Sequence, residues 1–351
     1  MHGPADRGAN VAVETRDAAP TLGDRARDVR VGRFHVDLTE ALRSWLGTVF
    51  AIVALVVVFS IMKPQFMSFL NWENIAIQMS VLLVISLAGT FPILIGSIDL
   101  SVGSVATLGG IVAAMSLRHG GLVAGVAVPI ALVVGLGCGL VNGLLLARLR
   151  IPSFLVTLGT FFALDGVASW LINGSPIPII DLRYSRIFDG HIGSFPTIFL
   201  WALGVLLLSV LVCRYTRVGR HFYAVGNSEP ASLIAGVNVR LIKVIAFALS
   251  GLFAAFSGFL LSIHQLSGSP EQSASLLLPS IGAIVIGGTA LSGGVGGPGR
   301  TLIGVVLLAI LINGMQLAAV NPYLQLVVEG VVVILAVILS RQKLGVFSVI
   351  K

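Results

Sequence analysis

From Ile75 to Leu117 the chain runs for 43 residues with a single ionisable side chain, Asp99. Wound as one α-helix, this stretch would reach about 65 Å, roughly twice the hydrocarbon thickness of a bilayer. It must therefore hold two crossings joined without a polar loop. A break is expected at Gly96-Ser97-Ile98-Asp99-Leu100-Ser101-Val102-Gly103, where Asp99 can cap a helix starting at Leu100 by accepting its free amides.

Similar uncharged runs recur from Trp45 to Ser340. Divided at charges, prolines and glycine clusters, they give ten segments: 46 to 62, 75 to 97, 101 to 117, 122 to 146, 154 to 173, 196 to 213, 242 to 263, 279 to 297, 301 to 318 and 324 to 340. Charged residues make up only 11% of the chain, against about 25% in a soluble domain, so lipid is its main solvent. The expected fold is an all-α integral membrane protein of about ten transmembrane helices, with broken or re-entrant segments near residues 96–103 and 286–297. A polar tail (1–44) with seven Arg against seven acids precedes the membrane domain (45–343), and a short tail (344–351) follows it.

The net charge of +7 does not form a nucleic-acid surface, because the basic residues sit in short clusters between apolar runs. They mark topology, since short cytoplasmic loops hold the Lys and Arg excess. With the N-terminus inside, the inside loops carry Arg148, Arg150, Arg214, Arg217, Arg220, Arg240, Lys243 and Arg300, and the outside loops only Lys63, Arg118, Arg183 and Arg186. An even number of crossings follows, with both termini cytoplasmic; eight would serve if two segments were re-entrant. Cys138 and Cys213 lie in or beside apolar runs, where no disulfide is expected.

The pattern Ile-Gly-x-x-x-Leu-Ser-x-Gly occurs at Ile95 to Gly103 and again at Ile286 to Gly294. Either it is chance in a chain rich in these residues, or an internal duplication places two broken helices near the midplane along a pathway.

No catalytic, metal or cofactor site is expected. The phosphate-loop and His-Glu-x-x-His patterns are absent, and the six His are scattered. Gly294-Val295-Gly296-Gly297-Pro298-Gly299 matches a dinucleotide-binding pattern but follows no soluble strand. Energy for transport must come from an ion gradient or from another polypeptide.

The segment from Arg214 to Lys243 is the largest cytoplasmic loop between crossings. It contains a short helix with its own signals: Ser228 to cap it, Pro230 in its first turn, Leu233 and Ile234 as an apolar edge, and Gly236 to end it. Such an edge needs a cover, either a partner protein or the membrane surface.

The stretch Ala224-Val225-Gly226-Asn227-Ser228-Glu229-Pro230-Ala231-Ser232-Leu233-Ile234-Ala235-Gly236 resembles the coupling loop of permease subunits of ribose-type sugar importers in the ATP-binding cassette (ABC) superfamily. So do Gly96 to Ser104, Ile151 to Thr160, and Gly287-Gly288-Thr289 before Gly293-Gly294, and the likeness extends in order from about Trp45 to Lys343. The resemblance implies a cytoplasmic ATP-binding subunit, an extracytoplasmic solute-binding protein and a second permease subunit, with a monosaccharide or polyol as substrate. It makes Asn227, Ser228, Glu229, Ala231, Leu233, Ile234 and Gly236 the ATPase-coupling helix. Pro230 departs from the Ala usual in the family.

Asp99 and Ser101 are the first candidates for the translocation pathway, since an ionisable group in a broken membrane helix is a functional candidate by default. Thr157 and Thr160 could add hydroxyls, or bond their own backbone instead. Asp165 and Glu329 are expected to be satisfied inside the bundle. The rival reading is an ion-coupled carrier using Asp99, Asp165 and Glu329 as relays; a permease of the same type for branched-chain amino acids or nucleosides is a third.

Overall fold

A computed structural model of the chain describes residues 38–118, 125–149, 151–270 and 272–343. The expected tails fall outside these residues except for 38–44. The chain divides into a unit Met1–Arg43, described only over its helical end Leu38–Arg43, and a unit Ser44–Lys351 that contains the helical bundle.

Helix α1 spans Leu38–Met62. Ser68 caps α2 (Phe69–Leu94), its hydroxyl accepting the Asn71 amide at 3.2 Å. Then come α3 (Val102–Arg118), α4 (Ala127–Leu149), α5 (Ser153–Leu171), the one-turn α6 (Ser185–Phe188) and α7 (Thr197–Tyr215). Two short helices, α8 (Arg217–Asn227) and α9 (Glu229–Ile234), lead into α10 (Val239–Gln265), capped by Asn238. Helices α11 (Leu277–Ile286), α12 (Pro298–Leu317) and α13 (Pro322–Lys343) close the bundle. Four two-residue strands pair antiparallel: β1 (Ile177–Pro178) with β4 (Ser267–Gly268), and β2 (His191–Ile192) with β3 (Phe195–Pro196).

Each expected segment contains a helix. Among the described residues, six helices are long and apolar enough to cross a membrane: α2, α4, α5, α7, α10 and α12. Shorter apolar helices lie in Gly47–Met62, Val102–Arg118, Leu277–Ile286 and Pro322–Leu335.

Helix α10 is the hub, with α2, α3 and α4 packed around it. Without a hydrophobic drive between helices in lipid, small residues set how closely they approach. Gly135, Gly139 and Gly143 recur every fourth residue along α4, and a Cβ at any of them would strike the α10 backbone or Ala255. The partners run in reverse order, from Gly251 through Phe247 to Val244, so α4 and α10 are antiparallel.

Contacts sort the connections onto two ends. At one, Gly226 of α8 lies against the Leu94 carbonyl and Gly294, while the Ile98 amide donates to Ser153 Oγ at 3.0 Å. At the other, β1 pairs with β4, the Asp181 amide donates to the Leu117 carbonyl at 3.0 Å, and Tyr184 donates to the Gly125 carbonyl at 2.8 Å. There Phe188 stacks on Trp201 with ring centroids 4.7 Å apart, tying the α5–α7 connection to the bundle.

Two sequence expectations are corrected by this layout. The α2–α3 break is real but lies at the α8 end, not near the midplane, because the 26 residues of α2 already span about 39 Å. The expected segment 279 to 297 is displaced: the chain re-enters from Ser269, α11 completes the passage at Ile286, and 287–297 is a glycine-rich loop at the α8 end.

Candidate functional site

The site at the α8 end begins with an amphipathic helix. Thr216 caps α8, accepting the Gly219 amide at 3.0 Å. Phe222 and Val225 are buried, and Phe222 meets Phe91 of α2 edge-on at 5.9 Å. Tyr223 donates to the Gly296 carbonyl at 3.0 Å, and Asn227 Nδ2 to the Tyr223 carbonyl at 2.9 Å. The helix is thus fastened to α2 and to the loop before α12.

Its C-terminal turn makes the closest approach. A Cβ at Gly226 would overlap the Leu94 carbonyl and the Gly294 amide, and one at Gly293 would overlap Gly96. The Gly294 amide donates to the Leu94 carbonyl at 2.9 Å. Gly96 has φ +73° and Gly293 φ +86°, conformations open to glycine at little cost. The two copies of the repeated pattern therefore touch each other and α8 through bare backbone. The two differ in their surroundings: α3 starts at Val102, inside the first copy, whereas α12 starts at Pro298, after the second.

Helix α9 follows directly. Ser228 accepts the Ala231 amide at 3.3 Å, Pro230 sits in the first turn, and Gly236 follows the end with φ +80°. The helix ends at Ile234, two residues short of the expected Gly236. Ser232 is buried, while Leu233 is 56% and Ile234 90% exposed. Glu229 is held by Lys243 at the start of α10, with N–O distances of 2.8 and 2.9 Å. The outward face of α9 is therefore apolar, and its acid is turned back toward the bundle.

All four pathway candidates meet behind this junction. Asp99 Oδ1 accepts from the Ser101 hydroxyl at 2.6 Å and the Ser101 amide at 2.9 Å, and Oδ2 accepts from Ser250 of α10 at 2.7 Å. Asn142 of α4 donates to Ser101 Oγ at 2.9 Å and accepts from Thr160 of α5 at 2.6 Å. Thr157 accepts the Leu100 amide at 3.1 Å and donates to the Ser153 carbonyl at 2.9 Å. Asp99, Ser101, Asn142, Thr157 and Ser250 are buried and Thr160 half-buried. Buried polar groups in a low-dielectric bundle hold only when mutually satisfied, and this network locks the α2–α3 turn to three other helices. Asp99 closes the turn before α3 and does not cap a helix at Leu100, since α3 begins at Val102.

Sequence reading missed Asn142, Ser250 and Ser153 as members. A lone Ser or Asn in an apolar run says nothing about its distant partner. Asp165 and Glu329 depart from expectation: neither has a hydrogen bond or ion pair among the described residues.

Residues 71–337 match the family described as "Branched-chain amino acid transport system / permease component". The chain is 36% identical to the ribose import permease protein of Escherichia coli K12 over 309 residues, covering 86% of this chain and 96% of the relative. It is 35% identical to the ribose import permease protein of Bacillus subtilis 168 over 318 residues, covering 89% and 96%. It is 32% identical to the galactose/methyl galactoside import permease protein of Salmonella typhimurium LT2 over 325 residues, covering 87% and 97%. No solved structure matches. This chain belongs to that family of ABC transport permeases, and with its apolar helices it is a multi-pass membrane protein.

Proposed function

We propose that the chain is the membrane subunit of an ATP-driven importer that carries a monosaccharide or related polyol across a bacterial cytoplasmic membrane. The observation that carries this reading is near full-length identity of 32–36% to permeases named for ribose and galactose import. ATP hydrolysis belongs to a separate cytoplasmic subunit docked on α9, where Ile234 and Leu233 present the apolar face. An extracytoplasmic binding protein delivers the solute, and a second permease copy completes the pathway.

Orientation follows from charge. The α8 end carries Arg148, Arg214, Arg217, Arg220, Arg240, Lys243 and Arg300, against Lys63, Arg118, Arg183 and Arg186 at the other, so the α8 end is cytoplasmic with both termini. In this reading the Asp99, Ser101, Thr157 and Thr160 network walls the cytoplasmic end of the pathway. ATP-driven closure of the docked ATPase pair moves α8 and α9 and biases the bundle between two states.

An ion-coupled carrier is less well supported. Asp99 already accepts three hydrogen bonds within the bundle, and along α5 Asp165 lies about 12 Å beyond Thr157, eight residues at 1.5 Å each. A branched-chain amino acid substrate is the second reading, favoured by the family's own description. The companion binding protein, tested against pentoses, hexoses, polyols and leucine, separates the two: tight binding of a sugar supports the first, and of leucine alone the second.

A further inference from the structure

The passage completed by α11 begins as irregular chain. After α10 ends at Gln265 and β4 pairs with β1, the chain turns back between α3 and α10 and becomes α-helical only at Leu277. On the way, the Ser273 amide donates to Thr107 Oγ1 of α3 at 3.3 Å. Gln272 Oε1 accepts from Ser262 Oγ of α10 and from the Ser269 amide, both at 3.1 Å. Ala106, next to Thr107, touches Gly258, which lies seven residues before the end of α10. Ser273 therefore sits about 10 Å inside the bundle, at 1.5 Å per residue.

Gln272 is 9% and Ser273 1% exposed, yet among the described residues Gln272 Nε2 and Ser273 Oγ have no hydrogen-bond partner. Native interiors leave few polar atoms unpaired, and each exception calls for an explanation. Packing supplies none here, since Oε1 alone anchors the side chain and Nε2 is left over. Irregular backbone at membrane depth is, moreover, where transporters place their solute contacts.

We propose that Gln272 and Ser273 form a binding site for the transported solute, offering amide and hydroxyl hydrogens to the hydroxyl oxygens of a neutral polyol once the 272–276 stretch separates from α3 and α10. The described polar groups around it, Thr107, Ser262 and Ser269, are uncharged; Glu271 lies outside the described residues. The proposal rests on the sugar-import reading.

The test uses the assembled transporter in proteoliposomes, with ribose and galactose as probes. Gln272→Glu keeps an acceptor for Ser262 and Ser269 but removes both donors, and Ser273→Ala removes the hydroxyl. Each is expected to lower sugar uptake at least tenfold while assembly and ATPase activity persist. In a chain with Cys138 and Cys213 replaced by Ser, Ser273→Cys is expected to react with a small hydrophilic thiol reagent during ATP turnover, and sugar is expected to slow that reaction. Unchanged uptake kinetics in both variants, or labelling indifferent to sugar, would overturn the site. Uptake of leucine in place of either sugar would instead overturn the reading beneath it.

Discussion

The Gly294 amide donates to the Leu94 carbonyl at 2.9 Å, joining the loop before α12 to the end of α2. Gly226 rests on both residues, so the last turn of α8 has no freedom to move without them. In the proposed mechanism, displacement of α9 is thereby passed at once to the α2–α3 turn and to the loop before α12, through backbone that does not deform as side chains do.

The first prediction concerns that contact. Gly226→Ala forces a Cβ into the Leu94 carbonyl and the Gly294 amide, and overpacking of this kind costs about 1–3 kcal/mol. A lower melting temperature in detergent and reduced uptake are expected, whereas Gly137→Ala, with open space around it, changes neither. Equal behaviour of the two variants would show that the junction is loose.

The second concerns docking. Ile234→Asp places a charge on the most exposed apolar side chain of α9 without touching the fold, so co-purification of the ATPase subunit is expected to fall at least tenfold. Glu229→Gln, which removes only a half-exposed ion pair with Lys243, is expected to retain it. Retention of the ATPase by Ile234→Asp would remove α9 from the interface.

Much of this region was legible in the chain. Ser228, Pro230 and Gly236 are local punctuation, and local rules located α9 to within two residues. The α2–α3 break was legible for a different reason, since a 43-residue run with one ionisable side chain cannot form one helix in a bilayer. What was not legible depended on distance: Ser250 lies 151 residues from Asp99, and no periodicity pairs them. The re-entry of 272–276 was not legible because Pro270, Glu271 and Gln272 read in the sequence as an ordinary polar loop. The irregularity of 287–297 was legible from its glycines; that it lies beyond the crossing was not, because apolar residues flank it on both sides.

The third prediction concerns the polar network. Asp99→Ala strands the Ser101 and Ser250 donors, and an unsatisfied buried donor costs about 1–3 kcal/mol. Thermal unfolding is expected to move to lower temperature, more than for Thr160→Ala, whose hydroxyl is half-buried. An unshifted melting curve for Asp99→Ala would mean that the carboxylate does not hold the turn.

The fourth concerns sidedness. Ser194 and Ala235 are both exposed, at opposite ends of the bundle. In a background with Cys138 and Cys213 replaced by Ser, Ser194→Cys is expected to react with a membrane-impermeant thiol reagent in cells whose cytoplasmic membrane is intact. Ala235→Cys is expected to react only after that membrane is opened. The reverse pattern would invert the topology.

The central claim, that this permease imports sugar only as part of an ATP-driven assembly, is tested most directly by uptake of labelled ribose and galactose into proteoliposomes. The complete set of permease, ATPase subunit and binding protein, supplied with ATP on the ATPase side, is expected to accumulate at least one sugar, to lose uptake when any component is omitted, and to be indifferent to a protonophore. Accumulation by the permease alone that collapses with a protonophore would contradict it.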